Sequence, residues 1–259
     1  MANPASKGDR TTGKHAYPYP PITEAIIEIQ FEAESSDEER RKVSGKLAEF
    51  YPFESVHVNK GVHVDMDAQT VHVNPVSAVF RRSGNDETEL TVFGPQNFLI
   101  SQLGIYPGWD TFFGRFERDW SLWRRLTQYR KINRIGVRFI NRIDVPKEGP
   151  AARHEDYLNV YVHMPDEVEK IGAYALQVQV PLAEIKCLGI MNSASVQSPL
   201  PGFASFMLDI DIGRTIDVPQ KDADILTVLN EIRGVKNALF ESSIKDAARE
   251  KFYDEQQLR

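Results

Sequence analysis

Apolar and polar residues alternate along much of this chain, most clearly in two segments. Over residues 22–32, Ala25, Ile27, Ile29 and Phe31 interleave with Glu24, Ile26, Glu28, Gln30 and Glu32. Over residues 132–145, Ile135, Val137, Phe139, Ile143 and Val145 share one side, interrupted by Asn141. Arg134, Gly136, Arg138, Ile140, Arg142 and Asp144 share the other. A period of two sends successive side chains to opposite faces, so each segment predicts a strand with one buried and one polar face. Shorter strands are expected within residues 56–66, turned by Asn59-Lys60-Gly61, and over 76–82, 89–93 and around Phe98 and Ile100. Three more fall at 174–180, 185–195 and 203–212.

The period changes to helical in three places. Ser35 or Ser36 caps a helix that opens on Asp37-Glu38-Glu39, buries Val43, Leu47 and Phe50, and stops at Pro52. After Tyr106-Pro107-Gly108, the residues Trp109, Phe112, Phe113, Phe116, Trp120, Trp123 and Leu126 form an aromatic stripe. A long closing helix runs over residues 222–252 on Ile225, Val228, Leu229, Ile232, Leu239 and Phe240, with Gly234 as the point of bending. A short helical patch is expected near Tyr157. Runs of neighbouring strands separated by helices predict an α+β fold, a largely antiparallel sheet with long helices packed on one face. A weak strand-then-helix repetition divides it into two similar halves, 17–146 and 147–259, packed as one unit behind a disordered tail at 1–16.

Two charge ladders lie on the polar faces. Glu24, Glu28 and Glu32 recur every four residues in the first strand; Arg134, Arg138 and Arg142 do so in the later one. An antiparallel pairing sets Glu24 by Arg142, Glu28 by Arg138 and Glu32 by Arg134. A parallel pairing also satisfies the charges, with Glu24 by Arg134, but antiparallel pairs are roughly two- to three-fold commoner. Each directly opposed pair contributes about 0.2–1 kcal/mol. The bland explanation is a solvated sheet face. The sharper one is a polar groove in which Arg134, Arg138 and Arg142, with Glu24 and Glu28, hold an anionic or zwitterionic ligand; neighbouring carboxylates would compete for the same donors.

Composition narrows the rest. The net charge is -6, which disfavours general nucleic-acid binding. The basic residues nevertheless concentrate at 115–142, where Arg115, Arg118, Arg124 and Arg125 on the aromatic helix are the candidate nucleic-acid contacts. Asp209 and Asp211 share a strand face and are the candidate ligands for a divalent cation. His63-Val64-Asp65, with His57 and His72 nearby, is a weaker metal candidate. The single cysteine, Cys187, allows no internal disulfide and reads as a core thiol more than a nucleophile. No Walker loop, nucleophile elbow, dinucleotide fingerprint or His-Glu-x-x-His motif is present. No apolar leader or run of membrane-spanning length is seen, so a cytoplasmic location, no membrane partner and no cofactor are expected.

Several segments together resemble one family: Pro20-Pro21-Ile22 with Glu24-Ala25, Tyr106-Pro107-Gly108-Trp109, Arg134-Ile135-Gly136-Val137-Arg138-Phe139-Ile140-Asn141-Arg142-Ile143, and Leu208-Asp209-Ile210-Asp211. In order and wording they look like a sporadically distributed family of uncharacterised bacterial proteins of similar length. The resemblance spans residues 18–254 and is most specific in the central arginine run. It carries over no catalytic residues; its patchy occurrence implies an accessory gene of the defence or toxin–antitoxin kind. The expectation is a non-catalytic protein that binds an unidentified protein or small molecule, homo-oligomerisation being open. The alternatives are an enzyme with a carboxylate–arginine site, metal-dependent through Asp209 and Asp211, and a nucleic-acid-associated regulator.

Overall fold

A computed structural model of the chain describes residues 17–65, 70–147, 152–165, 167–168 and 171–253, with the backbone alone at 59–65 and 70–76. The tail at residues 1–16 lies outside the described residues. The central strand β1 (Ile22–Phe31) hands the chain to α1 (Asp37–Leu47), which carries it to one edge of the sheet. From there β2 (Phe53–Asp65), β3 (Thr70–Ser83), β4 (Glu89–Phe93) and β5 (Asn97–Leu103) return in steps until β5 pairs with β1, and α2 (Trp109–Leu126) follows. β6 (Ile132–Pro146) lies beside β1. The chain reaches the far edge as β7 (Ala175–Leu182), returns through β8 (Cys187–Val196) to β9 (Phe203–Arg214) beside β6, and closes with α3 (Asp222–Ser243) and α4 (Asp246–Lys251). The order is β2-β3-β4-β5-β1-β6-β9-β8-β7, antiparallel at every pairing.

This architecture corrects the expected fold class. Among the described residues the molecule is mostly a single nine-stranded antiparallel sheet, and only α1, α2 and α3 exceed six residues, at 11, 18 and 22. The expectation of an α+β fold with long helices packed on one face overstated the helices, for reasons visible at their ends. α1 does open on a capping box, Ser36 exchanging hydrogen bonds with Glu39. It stops at Leu47, however, so Phe50 falls outside it and is exposed, while Tyr51 turns inward. The closing helix breaks at Ile244 rather than at Gly234. Ile244 takes an extended conformation, bridges Leu158, and lets the Lys245 amide donate to the Tyr157 carbonyl. Three short strand segments were expected between residues 56 and 82. Instead β2 and β3 form one hairpin that runs straight through Asn59-Lys60-Gly61 with a bulge.

One core joins these elements. The inward residues of β1, β6 and β9, such as Ile27, Val137 and Ile210, meet the buried residues of all four helices in a single cluster. The α2 stripe supplies most of its aromatic bulk: Trp120 and Trp123 stack on Phe31, and Trp123 stacks also on Phe93. Two of the buried indoles donate hydrogen bonds to α3, Trp109 to Asn230 and Trp120 to Asp222. With the apolar residues of the sheet drawn to that side, the alternate residues Glu24, Ile26, Glu28, Arg134, Arg138, Asp209 and Asp211 occupy the other.

Candidate functional site

β1 and β6 are neighbours and antiparallel, but their register differs from the ladder pairing. Glu24 stands opposite Ile140, Ile26 opposite Arg138, and Glu28 opposite Gly136. The strands have slipped two residues from the register that charge alone would choose. Apolar positions stay on the core face under either register, so they do not discriminate. What discriminates is β9 on the other side of β6. It sets Asp211 opposite Arg138 and Asp209 opposite Ile140, and gives the arginines closer partners than the glutamates of β1.

Arg138 grips Asp209 with two hydrogen bonds, Nε to Oδ1 at 2.8 Å and Nη2 to Oδ2 at 2.7 Å. This bidentate contact holds its pKa above the ordinary arginine value. The Asp209 side chain is 3% exposed and that of Arg138 43%, so the arginine acts as the lid of a buried carboxylate that also accepts from Asn192 Nδ2. Arg134 bridges two acids, donating through Nη1 to Glu28 at 3.0 Å and through Nη2 to Asp211 at 2.7 Å. Arg142 turns along its own strand to Asp144. Glu24 accepts from Ser101 Oγ and Glu32 pairs with Lys131. Of the three ladder pairs, none forms as drawn; Glu28 meets Arg134 on the diagonal instead.

The geometry around Arg134 depends on two glycines. Gly136 and Gly213 face each other across β6 and β9, so two adjacent positions on this face carry no side chain. The Arg134 guanidinium lies over both: a Cβ at Gly136 would come within 2.7 Å of its Cζ, and one at Gly213 within 3.0 Å. The result is a hollow of about 160 Å³ lined by Ile26, Glu28, Leu99, Arg134, Gly136, Arg138 and Asp211. In the sequence Gly136 falls between Arg134 and Arg138 on the polar face. A glycine inside a strand often marks close approach by another group; its pairing with Gly213 depended on the register and was not legible.

The remaining candidates are dispersed. Asp209 and Asp211 each hold an arginine, and no set of three metal-competent side chains occurs among the described residues. The side chains of His63, Asp65 and His72 lie outside the described residues, and His57 is exposed on β2. Arg115 is buried and donates to the Ser101 carbonyl, Arg118 engages Asp119, Arg124 engages Asp222, and Arg125 alone of the four is exposed. They do not form one surface. Cys187 is buried, and desolvation pushes its thiol up to about 11. A second, wider hollow of about 560 Å³ lies by α4, lined by Asn159, Glu241, Lys245 and Arg249 among others. Its charged groups are tied to one another, Arg249 to Glu241 and Asp246, and Lys245 to the Glu155 carbonyl. No helix among the described residues is long and apolar enough to cross a membrane.

The chain matches no protein-family model and no curated protein.

Proposed function

We propose that this chain is a non-catalytic, cytoplasmic binding protein whose working surface is the sheet face opposite the helices, with its ligand seated at the Arg134–Arg138–Asp211 hollow. The observation that carries this reading is the hollow itself. It lies in the middle of the sheet, across β5, β1, β6 and β9, and it is bordered by charged groups with hydrogen-bonding capacity to spare. Among the described residues, Arg138 uses Nε and Nη2 on Asp209 and leaves Nη1 unengaged. Among the same residues the Asp211 side chain accepts only from Arg134.

Two carboxylates, Glu28 and Asp211, line the hollow against two guanidiniums, Arg134 and Arg138. That balance favours a neutral or zwitterionic ligand over the anionic one suggested by the arginines alone. An accessory role of the defence or toxin–antitoxin kind rests on the motif resemblance alone. Catalysis through the carboxylates has less support, because each acid near the hollow is already a hydrogen-bond acceptor for a fixed donor.

Methyl-labelled protein screened by NMR against mixtures of small polar, aromatic and cationic fragments tests the location. Ile26 and Leu99 report the hollow, Ile27 and Ile29 the core, and Ile244 the second cavity. Shifts at Ile26 and Leu99 without shifts at Ile244 are expected. Fragments that move only Ile244, or none that move Ile26 or Leu99, would remove the proposal.

A further inference from the structure

We infer that the hollow takes a planar heteroaromatic ring of the nucleobase kind, stacked on the Arg134 guanidinium and read along one edge by Asp211 and Arg138; this rests on the binding site proposed above. Size comes first. At about 160 Å³ the cavity lies below the roughly 300–1,000 Å³ that enclose a whole drug-sized ligand or cofactor. It admits one ring, with anything attached to that ring remaining outside.

The shape is set by the missing side chains. In the row that crosses the sheet through Leu99, Glu28, Gly136 and Gly213, the two glycines open a gap between Glu28 and the next strand. Arg134 leans into that gap over both glycines and is fixed there at two edges, by Glu28 and by Asp211. A guanidinium held at its edges and backed by glycine leaves its other π-face for the cavity. Planar bases stack on such a face, and Ile26 and Leu99 supply an apolar flank.

Polarity then selects among planar groups. The row next to the glycines runs Ile26, Arg138, Asp211. It therefore offers a donor, Arg138 Nη1, beside an acceptor, the Asp211 carboxylate, which are opposed residues on neighbouring strands. A ring bearing an acceptor and a donor on adjacent edge atoms, as a lactam or amidine does, matches both; a plain phenyl ring matches neither and leaves them desolvated. Glu28 and Asp211 already offset the two guanidiniums of the lining, so a phosphate attached to the ring adds nothing. The ring can come from a free nucleoside or from a nucleotide, and the two sources separate by experiment.

Uridine, cytidine, adenosine and guanosine, each with its 5′-monophosphate, and phenol as the ring lacking the edge, are titrated by calorimetry and saturation-transfer NMR. At least one nucleoside is expected to bind and phenol is not. The monophosphate should bind no tighter than its nucleoside; tighter binding of the monophosphate would assign the site to nucleotides and overturn the electrostatic part. Arg134→Lys keeps the charge but removes the planar group and should weaken binding at least tenfold. Should that variant fail to fold, Asp211→Asn reads the same site through its edge and should lose a similar factor. Binding unchanged in the folded variant, or no nucleoside binding at millimolar concentration, refutes the inference. If other fragments still shift Ile26 and Leu99, the binding surface stands without it; if nothing does, both fall.

Discussion

The basic stretch of the sequence ends in two opposite settings. On α2, Arg118 donates to Asp119 Oδ1 at 2.7 Å and to the Tyr51 hydroxyl at 2.9 Å, while Tyr51 donates to Asp119 Oδ2 at 2.5 Å. Tyr51 and Asp119 are wholly buried, and Arg118 lies over the Phe50 ring. Burial raises the pKa of Asp119 against the opposing pull of Arg118 and Tyr51, so desolvation dominates there. On β6, Arg134 and Arg138 also pair with carboxylates, yet they border a hollow and keep donors and acceptors in reserve. The first cluster closes on itself and holds α2 to the turn after α1. The second is a surface. A count of arginines does not separate them; whether a hydrogen-bonding atom remains open beside a cavity does.

The largest expected effect lies in the closed cluster. Asp119→Ala leaves the buried Tyr51 hydroxyl without an acceptor and removes the carboxylate that offsets Arg118 and the buried Arg115, and should cost about 3–5 kcal/mol in urea denaturation. Asp211→Asn, in the open cluster, should cost under about 1 kcal/mol, because the amide oxygen still accepts from Arg134 and the site is partly solvated. Comparable losses in the two variants would erase the distinction.

Lys236 sharpens it from the helix side of β6. Its ammonium sits 3.7 Å from the centre of the Phe139 ring, with no carboxylate partner among the described residues. Burial, with help from Arg233, depresses its pKa to about 7. The unfolded chain keeps an ordinary lysine near ~10.4. Between about pH 7 and that value the unfolded state binds more protons than the folded one, so this group makes stability rise with pH, by at most about 1.4 kcal/mol per unit. The contribution is flat below about pH 7, where the destabilisation is complete. Lys236→Met should therefore stabilise the protein at pH 7 by about 2 kcal/mol, after allowing for the lost cation–π contact, and flatten the difference in urea midpoints between pH 7 and 10. A variant that is less stable than the parent at pH 7 would show that Phe139 solvates the charge adequately.

Legibility in the sequence followed the same divide. The core face could be read from period alone, because Ile27, Val137, Phe139 and the α2 stripe are apolar in any register. The start of α1 could be read as well, as a cap at Ser35 or Ser36 ahead of Asp37-Glu38-Glu39, since those groups are neighbours in the chain. The helix break at Ile244 could not, because it is caused by the Leu158 segment far away in the chain. Nor could the partners of the arginines. The ladder argument compared two strands and found their charges compatible, whereas β6 has two neighbours and Asp209 and Asp211 on β9 were the better acceptors. Once β9 is beside β6, the Gly136–Gly213 pair and the hollow follow.

Arg138 tests that step directly. Removing it leaves Asp209 buried with Asn192 as its main donor. Arg138→Ala should thus lower stability by about 1–3 kcal/mol as well as disturb the hollow, so it does not separate binding from folding. Arg138→Lys restores the charge without the two-point contact and should recover part of that loss. If Arg138→Ala leaves the urea midpoint unchanged, Asp209 is more solvated than its burial indicates.

The smallest expected effects come from glycines, and here the comparison predicts opposite signs. Gly234 lies within α3, has no positive φ, and has no atom within 4 Å of where a Cβ would project. Gly234→Ala should stabilise the helix by about 0.5–1 kcal/mol, since alanine loses less backbone freedom on folding and meets nothing. Gly213 sits in a strand, where alanine has no such helical advantage, and its Cβ would press on the Arg134 guanidinium. Gly213→Ala should therefore lower the thermal midpoint slightly, and the loss should vanish in an Arg134→Ala background, where nothing remains to be displaced. A loss that persists there would mean that Gly213 answers to the backbone of β9 rather than to the arginine above it.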